Sequence, residues 1–414
     1  MGPTTLESMC ETLTRNCSSP EFFAQMPSPV GRKKSRNWRS ALIILVFVAF
    51  PLSAFADAGT PLMWAGMLHL VFGNAIIGVS EGLVLAKLFS LKKLKAIGLL
   101  VAANYFSAWF GGVFITNAIA HTIRMDLNNG WLWFWILVGI TYVLTLALEW
   151  PFVALCFRGM PGWFRRSWKG NFIIQTASYV LLFGWYWLAS GTSLYTRMHV
   201  VRADQLSLPE SVLIYFISDQ DGNVYERPLA GTESHMIFRL NSTNANERLL
   251  VKPSTTLSNF WDLFARLESK DESNPTLTPI KSGFAQYSVA DERANLNPPQ
   301  YPETWFNFGN TPRLGSAAKS DWDFETGFWP IEGMHGTNSV THDQIYFSFE
   351  TPFAAWTIRN ATHLPGDNVL FQLGTDQICL LDPTSHRVAL LVHGRGLVAV
   401  LRDTNAFSST GQSP

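Results

Sequence analysis

The sequence predicts an α-helical transmembrane domain of four mature spans, with an N-terminal signal or anchor helix before it and an extracytoplasmic antiparallel β-rich domain after it. Charged residues make up only 15% of the 414 residues, against roughly 25% in soluble domains. The charged residues are also distributed unevenly between the two halves of the chain. Residues 1–200 carry 16 Lys and Arg against 7 Asp and Glu, whereas residues 201–414 carry 15 against 24. This asymmetry indicates two environments rather than one soluble globule.

Residues 1–56 have the features of a tail followed by a secretory signal peptide. Basic residues at 32, 33, 34, 36 and 39 precede an apolar core at 41–50, which is too short to span about 30 Å of hydrocarbon. Ala54-Phe55-Ala56 then supplies the small residues of a cleavage site. An uncleaved anchor helix is the alternative. Met26 is a candidate true start, because residues 1–25 do not resemble a signal.

Four apolar segments, long enough to cross a bilayer, define a transmembrane domain at 57–197. They run at about 62–89, 96–120, 131–157 and 172–194. Thr60 and Pro61 occupy the helix-starting positions of the first. The number of these segments, their length and their near absence of charge exclude buried helices of a soluble protein.

The charges of the loops predict an orientation for these spans. The loop after the first span has three lysines, at 92, 93 and 95, and the loop after the third has basic residues at 158, 165, 166 and 169. The loop after the second span has only Arg124. The positive-inside rule places the two basic loops in the cytoplasm. We therefore expect a multi-pass protein of the bacterial cytoplasmic (inner) membrane, with its C-terminal half outside.

The exported half, residues 198–414, reads as short strands of a sandwich or meander. The stretch 211–229 predicts a hairpin around Asp221-Gly222-Asn223. Four strands are predicted at 369–373, 377–381, 387–392 and 397–401, with the last two separated by a turn at Gly394-Arg395-Gly396. The stretch 255–270 has the spacing of an amphipathic helix.

Polar residues inside the predicted spans are the first candidate site. They are Asn74, Glu81, Asn104, Glu149 and Gln175. Glu81 and Glu149 lie about 18–20 residues from the outer ends of their spans, roughly 27–30 Å of helix rise, and so towards the cytoplasmic side. They predict a proton or cation site. The alternatives are that they reach headgroup water or basic loop residues, or that they hydrogen-bond between helices and define packing.

Histidines are the second candidate site, for a metal or haem. His69, His121 and His199 fall near the predicted outer membrane face, and His335 and His342 lie in the exported half. Imidazoles can ligate either group or move a proton. No CxxCH or CxxC spacing accompanies them, and no hydrolase, P-loop or dinucleotide motif occurs in the sequence.

These patterns favour an integral membrane protein that presents a β-rich domain for binding, sensing or assembly, with no enzymatic reaction and no cofactor expected. One alternative is a transport or channel component in which Glu81 and Glu149 handle protons or cations. Another is a redox or metal-binding subunit that uses the outer histidines. The expected partners are the lipid bilayer and either another envelope protein or a second copy of the chain. The acidic C-terminal half excludes nucleic acid.

Overall fold

A computed structural model describes residues 61–122, 124–245, 247–267, 276–290, 309–327, 333–351, 353 and 355–402, with side chains throughout except at 112–122 and 318. The predicted signal segment at 1–56 and the predicted cap Thr60 lie outside these residues.

Four long helices form the N-terminal part of the described chain. They are α1 (Pro61–Phe89), α2 (Lys93–Thr122), α3 (Gly130–Cys156) and α4 (Trp163–Ala189). All four are long and apolar enough to cross a membrane, α2 through its stretch Lys93–Gly111. The prediction of four helical candidate spans is confirmed at this level.

The start of α4 differs from the prediction. The helix begins at Trp163, nine residues before the predicted position 172, directly after Gly162 in a left-handed conformation (φ 67°). Arg165, Arg166 and Lys169 therefore lie in its first turns and not in a loop. The apolar pattern marked where lipid contact would begin, whereas Arg and Lys continue a helix readily beyond that point.

Helices α1 and α2 approach each other closely at two glycines. A Cβ atom on Gly78 would lie 2.6 Å from Val101 Cα, and one on Gly82 would lie 2.6 Å from Ile97 Cα. Small residues four apart form a surface on which a second helix backbone can rest. Helix α1 also contains one π-helical stretch, His69–Gly73, a local widening often found at functional positions.

The C-terminal part is rich in β-structure. Its strands are β1 (His199–Val200), β2 (Val212–Ser218), β3 (Val224–Pro228), β4 (His235–Phe238), β5 (Arg248–Pro253), β6 (Phe260–Leu267), β7 (Thr276–Ala285), β8 (Gly309–Asn310), β9 (Trp322–Thr326), β10 (Met334–Asn338), β11 (Gln344–Phe347), β12 (Phe349–Glu350), β13 (Ala355–Trp356), β14 (Ile358–His363), β15 (Val369–Leu373), β16 (Gln377–Asp382) and β17 (Arg387–Leu401). A short helix, α5 (Leu194–Arg197), leads into β1. An antiparallel β-rich region separate from the helices is confirmed.

The strands form one large sheet and three small ones. The large sheet has the order β14-β15-β16-β17-β2-β3-β4, and β1 pairs with β17 in parallel. The small sheets are β11-β10-β9-β8, β5-β6-β7 and β12-β13. Their strands, and those on the main path of the large sheet, pair antiparallel. The predicted hairpin is β2–β3, with Tyr215 opposite Glu226.

Two local predictions for this region were wrong. The stretch 255–270, predicted as a helix, contains strand β6, which lies between β5 and β7. The predicted turn at Gly394-Arg395-Gly396 lies inside β17, which runs unbroken for 15 residues. The first half of β17 pairs with β16 and its second half with β2, with register shifts where the partner changes.

The helical and β-rich parts share a hydrophobic core. Leu127, in the α2–α3 loop, and Leu194, in α5, are almost fully buried in one cluster with Phe347 and Phe371 of the β-rich part. The backbone N–H of Leu127 donates to Gln377 Oε1 at 2.7 Å. The end of the helix bundle is thus fixed to the strands by both apolar and polar contacts.

Candidate functional site

Glu81 lies in a buried polar group between three helices. The amide Nδ2 of Asn104, on α2, donates to Glu81 Oε2 at 2.7 Å. The hydroxyl of Ser178, on α4, donates to Glu81 Oε1. All three residues are buried, so each carboxylate oxygen is satisfied by a neutral donor from a different helix.

Glu149, on α3, is held in the same way. Its donors on α2 and α4 lie about one helical turn from the donors of Glu81. Ser107 Oγ, on α2, donates to Glu149 Oε1 at 2.5 Å, and Gln175 Nε2, on α4, donates to Glu149 Oε2 at 2.5 Å. Asn104 and Ser107 are three residues apart, as are Gln175 and Ser178. One face of α2 and one face of α4 therefore serve both carboxylates.

The six residues Glu81, Asn104, Ser107, Glu149, Gln175 and Ser178 form what we call the acidic cluster. The two carboxylates repel each other electrostatically. Neither forms an ion pair within the part of the chain that the structure describes. They do not reach the bulk surface either, since Glu81 is 3% and Glu149 1% exposed. The cluster therefore holds two carboxylates that only neutral groups stabilise.

A cavity of about 860 Å³ extends from the acidic cluster to the β-rich part. Residues of all four long helices line it, including His69, Asn74, Ser107, Ala108, Val138, Thr141, Glu149, Gln175, Tyr179 and Tyr186. Along α3 its lining runs from Phe134 to Glu149, which corresponds to about 22 Å of helix rise. The cavity is thus long and parallel to the helices, and its volume lies in the range typical of small-molecule sites.

The other end of the cavity, which we call the β end, is formed by Arg124, Met125, Phe353, Trp356, Thr375, Asp376 and Gln377. Here Arg124 Nη2 lies 2.5 Å from Asp219 Oδ2 and 2.8 Å from Asp376 Oδ2. Asp219 is in the β2–β3 turn and Asp376 in the β15–β16 turn. Arg124 therefore connects the α2–α3 loop to two turns of the β-rich part.

A histidine lies beside this ion cluster. His393 Nε2 is 3.6 Å from Asp126 Oδ2, and His393 Nδ1 is 3.5 Å from Asp376 Oδ2. The Asp376 carboxylate raises the pKa of His393 above its ordinary value, although burial and Arg124 oppose the shift. Against the effect of burial, His393 and Arg124 hold the pKa of Asp376 below its ordinary value. The β end thus joins Arg124 and the titratable His393 to three carboxylates, those of Asp126, Asp219 and Asp376.

The structure brings four of the five predicted intramembrane polar residues together and places the fifth apart from them. Glu81, Asn104, Glu149 and Gln175 meet in the acidic cluster. Asn74 does not join them: it lines the cavity and donates through Nδ2 to the Leu70 carbonyl at 3.2 Å. Whether these residues handle protons or cations stays a prediction.

The predicted metal or haem histidines are found at separate elements. His69 Nδ1 lies 2.8 Å from Tyr186 OH in the cavity wall. His121 is in the last turn of α2, and His199 begins β1. His335, on β10, lies 3.1 Å from Glu325, and His342 follows in the β10–β11 turn. No group of three or more His, Cys, Asp or Glu suited to a metal occurs among the described residues. The redox hypothesis stays a prediction that an absorption spectrum of the purified protein would test.

The sequence reasoning missed Ser107, Ser178 and the Arg124–Asp376–His393 network. The serines had a usable signal, because each lies three residues from a predicted polar residue on the same helix face. The network had none, because Arg124 is in the α2–α3 loop and meets Asp376 and His393 only when the helical and β-rich parts pack together.

No protein-family model, curated protein or solved structure matches the chain. The hydrogen-bonding groups and the charges of this region define the chemistry that it can perform. The acidic cluster can accept a positive charge or a hydrogen-bond donor, and the long apolar wall can accommodate an elongated molecule.

Proposed function

We propose that this chain is an integral membrane protein that binds a small molecule in the cavity between its four helices and senses it through the β-rich domain. The observation that supports this is the composition of the cavity wall, which includes all four helices together with Trp356, Thr375 and Asp376 of the β-rich part. A molecule in this cavity would contact both parts of the protein at once. No chemical reaction is proposed.

The contacts at the β end provide a route from ligand to domain. Arg124 and Gln377 both line the cavity, and both also connect the α2–α3 loop to the strands. A ligand shifts a conformational equilibrium only if it binds the two states with different affinity. A ligand that contacts Arg124 or Gln377 would bind with different affinity if the contacts of these residues to the strands changed, and this coupling is our reason for proposing sensing and not passive storage.

We propose further that the protein lies in the cytoplasmic membrane of a bacterium with its β-rich domain outside. The signal-like features of residues 1–56 and the basic residues at 92, 93, 95, 158, 165, 166 and 169 support this placement. The shift of the α4 start does not weaken this argument, because Arg165, Arg166 and Lys169 stay at the same end of the helix. Another envelope protein or a second copy of the chain is the partner we propose for the domain.

The binding proposal is tested by native mass spectrometry of full-length protein purified from its own membrane. A small molecule should be found bound to the wild-type protein and to Val143→Trp. It should be lost from Val138→Trp, because Val138 lines the cavity whereas Val143 is 63% exposed on the same helix. Wild-type protein without a bound molecule, or equal occupancy in the two variants, would contradict the proposal.

A transport or channel function is the second candidate, and it is favoured by two buried carboxylates that form no ion pair with any residue in the described ranges. Intramembrane acids of this kind often mark ion pathways. Glu81→Gln and Glu149→Gln should then abolish proton or cation flux in proteoliposomes without changing expression. Glu210→Gln, an exposed glutamate outside the helices, is the control. Flux equal to that of protein-free liposomes, or unchanged in both variants, counts against transport.

A further inference from the structure

We infer that the ligand is an elongated amphiphilic amine, whose protonated amino group lies at the acidic cluster and whose apolar chain extends along the cavity towards the β end. This inference rests on the proposed binding function. It specifies the charge, the hydrogen-bonding character and the orientation of the ligand, and each follows from a different property of the cavity.

The charge follows from the residues at the two ends of the cavity. Glu149 lines it at the acidic cluster, and Glu81 lies behind its own donors Asn104 and Ser178, which also line the cavity. Arg124 lies at the opposite end of the cavity, whose lining along α3 covers about 22 Å, and it is already paired with two aspartates. Buried carboxylates without a counter-charge are costly. A ligand cation at this end would therefore be favoured, and a ligand anion would be repelled.

The hydrogen-bonding character follows from how the donors of the cluster are used. Asn104 and Gln175 direct their amide nitrogens at the carboxylates, which leaves their amide oxygens as acceptors. Ser107 likewise donates its proton to Glu149 and keeps its lone pairs. An alkylammonium group carries three donors and no acceptor, so it complements a site that offers mainly acceptors.

The shape and the apolar body follow from the wall between the two ends. It is formed by aliphatic residues and by rings that include Phe134, Phe183 and Tyr179. A bare inorganic cation needs a shell of oxygen ligands and would gain nothing from this wall. An alkyl chain would bury its surface there, and the aromatic faces would also attract the ammonium group as it enters.

The test compares three probes with the same chain: dodecylamine, dodecanol and dodecanoate. Each is titrated calorimetrically near neutral pH into full-length protein in nanodiscs, with empty nanodiscs as the background. We expect dodecylamine to bind roughly tenfold to a hundredfold more tightly than dodecanol, the gain typical of a hydrogen-bonded charge. Dodecanoate should bind more weakly than dodecanol.

Variants assign the selectivity to the cluster. Glu149→Gln should remove the advantage of dodecylamine while dodecanol still binds, which shows that the cavity is intact; Glu210→Gln should change neither. If Glu149→Gln binds no probe, Glu81→Gln provides the same comparison. Equal or tighter binding of dodecanol or dodecanoate by wild-type protein overturns the amine inference but leaves the binding function standing. If no probe binds, or if all bind Val138→Trp equally well, the binding function fails with it.

Discussion

Glu81 and Glu149 show how a carboxylate can be buried in an apolar helix with no basic partner among the residues that the structure describes. Each oxygen takes one hydrogen bond, and the donors come from α2 and α4. The sequence located both acids and two of their four partners, because intramembrane polar residues are conspicuous in an apolar run. Ser107 and Ser178 could also have been found, since each lies three residues from one of those polar residues on the same helix face, but their pairing with a particular glutamate follows only from the packing of the helices.

His393 is expected to make the junction at the β end sensitive to pH. Its pKa is raised above the ordinary value of 6.5 by Asp376. The stability that protonated His393 contributes to the folded protein is therefore fully present below about pH 6.5, where His393 is also charged in the unfolded chain. This stability is lost as the pH rises through the raised pKa of His393 in the folded protein. Wild-type protein should lose about 1–3 °C of its thermal midpoint across that rise.

His393→Gln should remove this part of the pH dependence, whereas His235→Gln, an exposed histidine on β4, should retain it. Thermal unfolding followed from about pH 6 to pH 9 measures both. The groups that face His393 are Arg124, Asp126 and Asp376. A His393→Gln protein with the wild-type profile would show that another group causes the dependence.

At the scale of elements, the helices were predictable and the strands only in part. A membrane-length apolar run satisfies its own backbone hydrogen bonds, so its identity is decided locally. Strand β6 is different: Trp261, Asp262 and Leu263 are consecutive and buried, so the strand is covered on both of its faces at this point. This removes the alternation of a half-exposed strand and leaves spacing that resembles a helix. The two halves of β17 were predicted as separate strands, because the Gly394-Arg395-Gly396 segment, where the pairing partner changes, has the composition of a turn.

Close packing of α1 on α2 should depend on Gly82. In Gly82→Ala the new Cβ would meet the Ile97 backbone at 2.6 Å, so the helices must separate. We expect a loss of about 1–3 kcal/mol, measured as thermal stability in detergent. Gly98→Ala is the matched control, because no atom lies within 4 Å of its Cβ, and it should be neutral or slightly stabilising. Equal effects of both changes would mean that the helices do not touch at Gly82.

Gly396 should be required for β17 to pass from β16 to β2. It has φ 63°, and a Cβ there would lie 2.5 Å from Arg248 Cα. Gly396→Ala therefore combines left-handed strain with overpacking, and we expect a loss of about 2–5 kcal/mol in the unfolding free energy. Gly191→Ala, with open space around its Cβ, should be nearly neutral. A fully stable Gly396→Ala protein would argue against the change of partner.

At the scale of the whole molecule, the helices and the β-rich part form one structural unit. Leu127, Leu194 and Met198 complete a core that otherwise consists of strand residues. The backbone N–H of Leu194 donates to the Ser348 carbonyl at 2.7 Å, and that of Ser348 donates to the Thr192 carbonyl at 2.8 Å. The helix bundle is therefore in direct contact with the sheets, so that a movement of the helices would act on the strands.

Arg124 should be the polar part of this junction that is easiest to release, since its side chain is 58% exposed. Arg124→Gln removes its ion pairs with Asp219 and Asp376. Amide hydrogen exchange in the two turns that carry these aspartates should accelerate roughly two- to fivefold, as expected for an exposed pair. Arg202→Gln, which breaks only a local pair with Asp204, should leave both turns unchanged. Unaltered exchange in Arg124→Gln would show that the apolar contacts alone hold the junction.

The pairing of β2 with β17 also has a consequence for biosynthesis. Val212 pairs with Leu401, so one of the first strands of the β-rich part to leave the ribosome must wait for the last described one. Until then β2 presents an unpaired apolar edge, and such edges aggregate. The nascent chain should therefore need a chaperone to protect β2 until β17 has been synthesised. A nonsense codon anywhere within β17 should lead to proteolysis rather than to a shortened product.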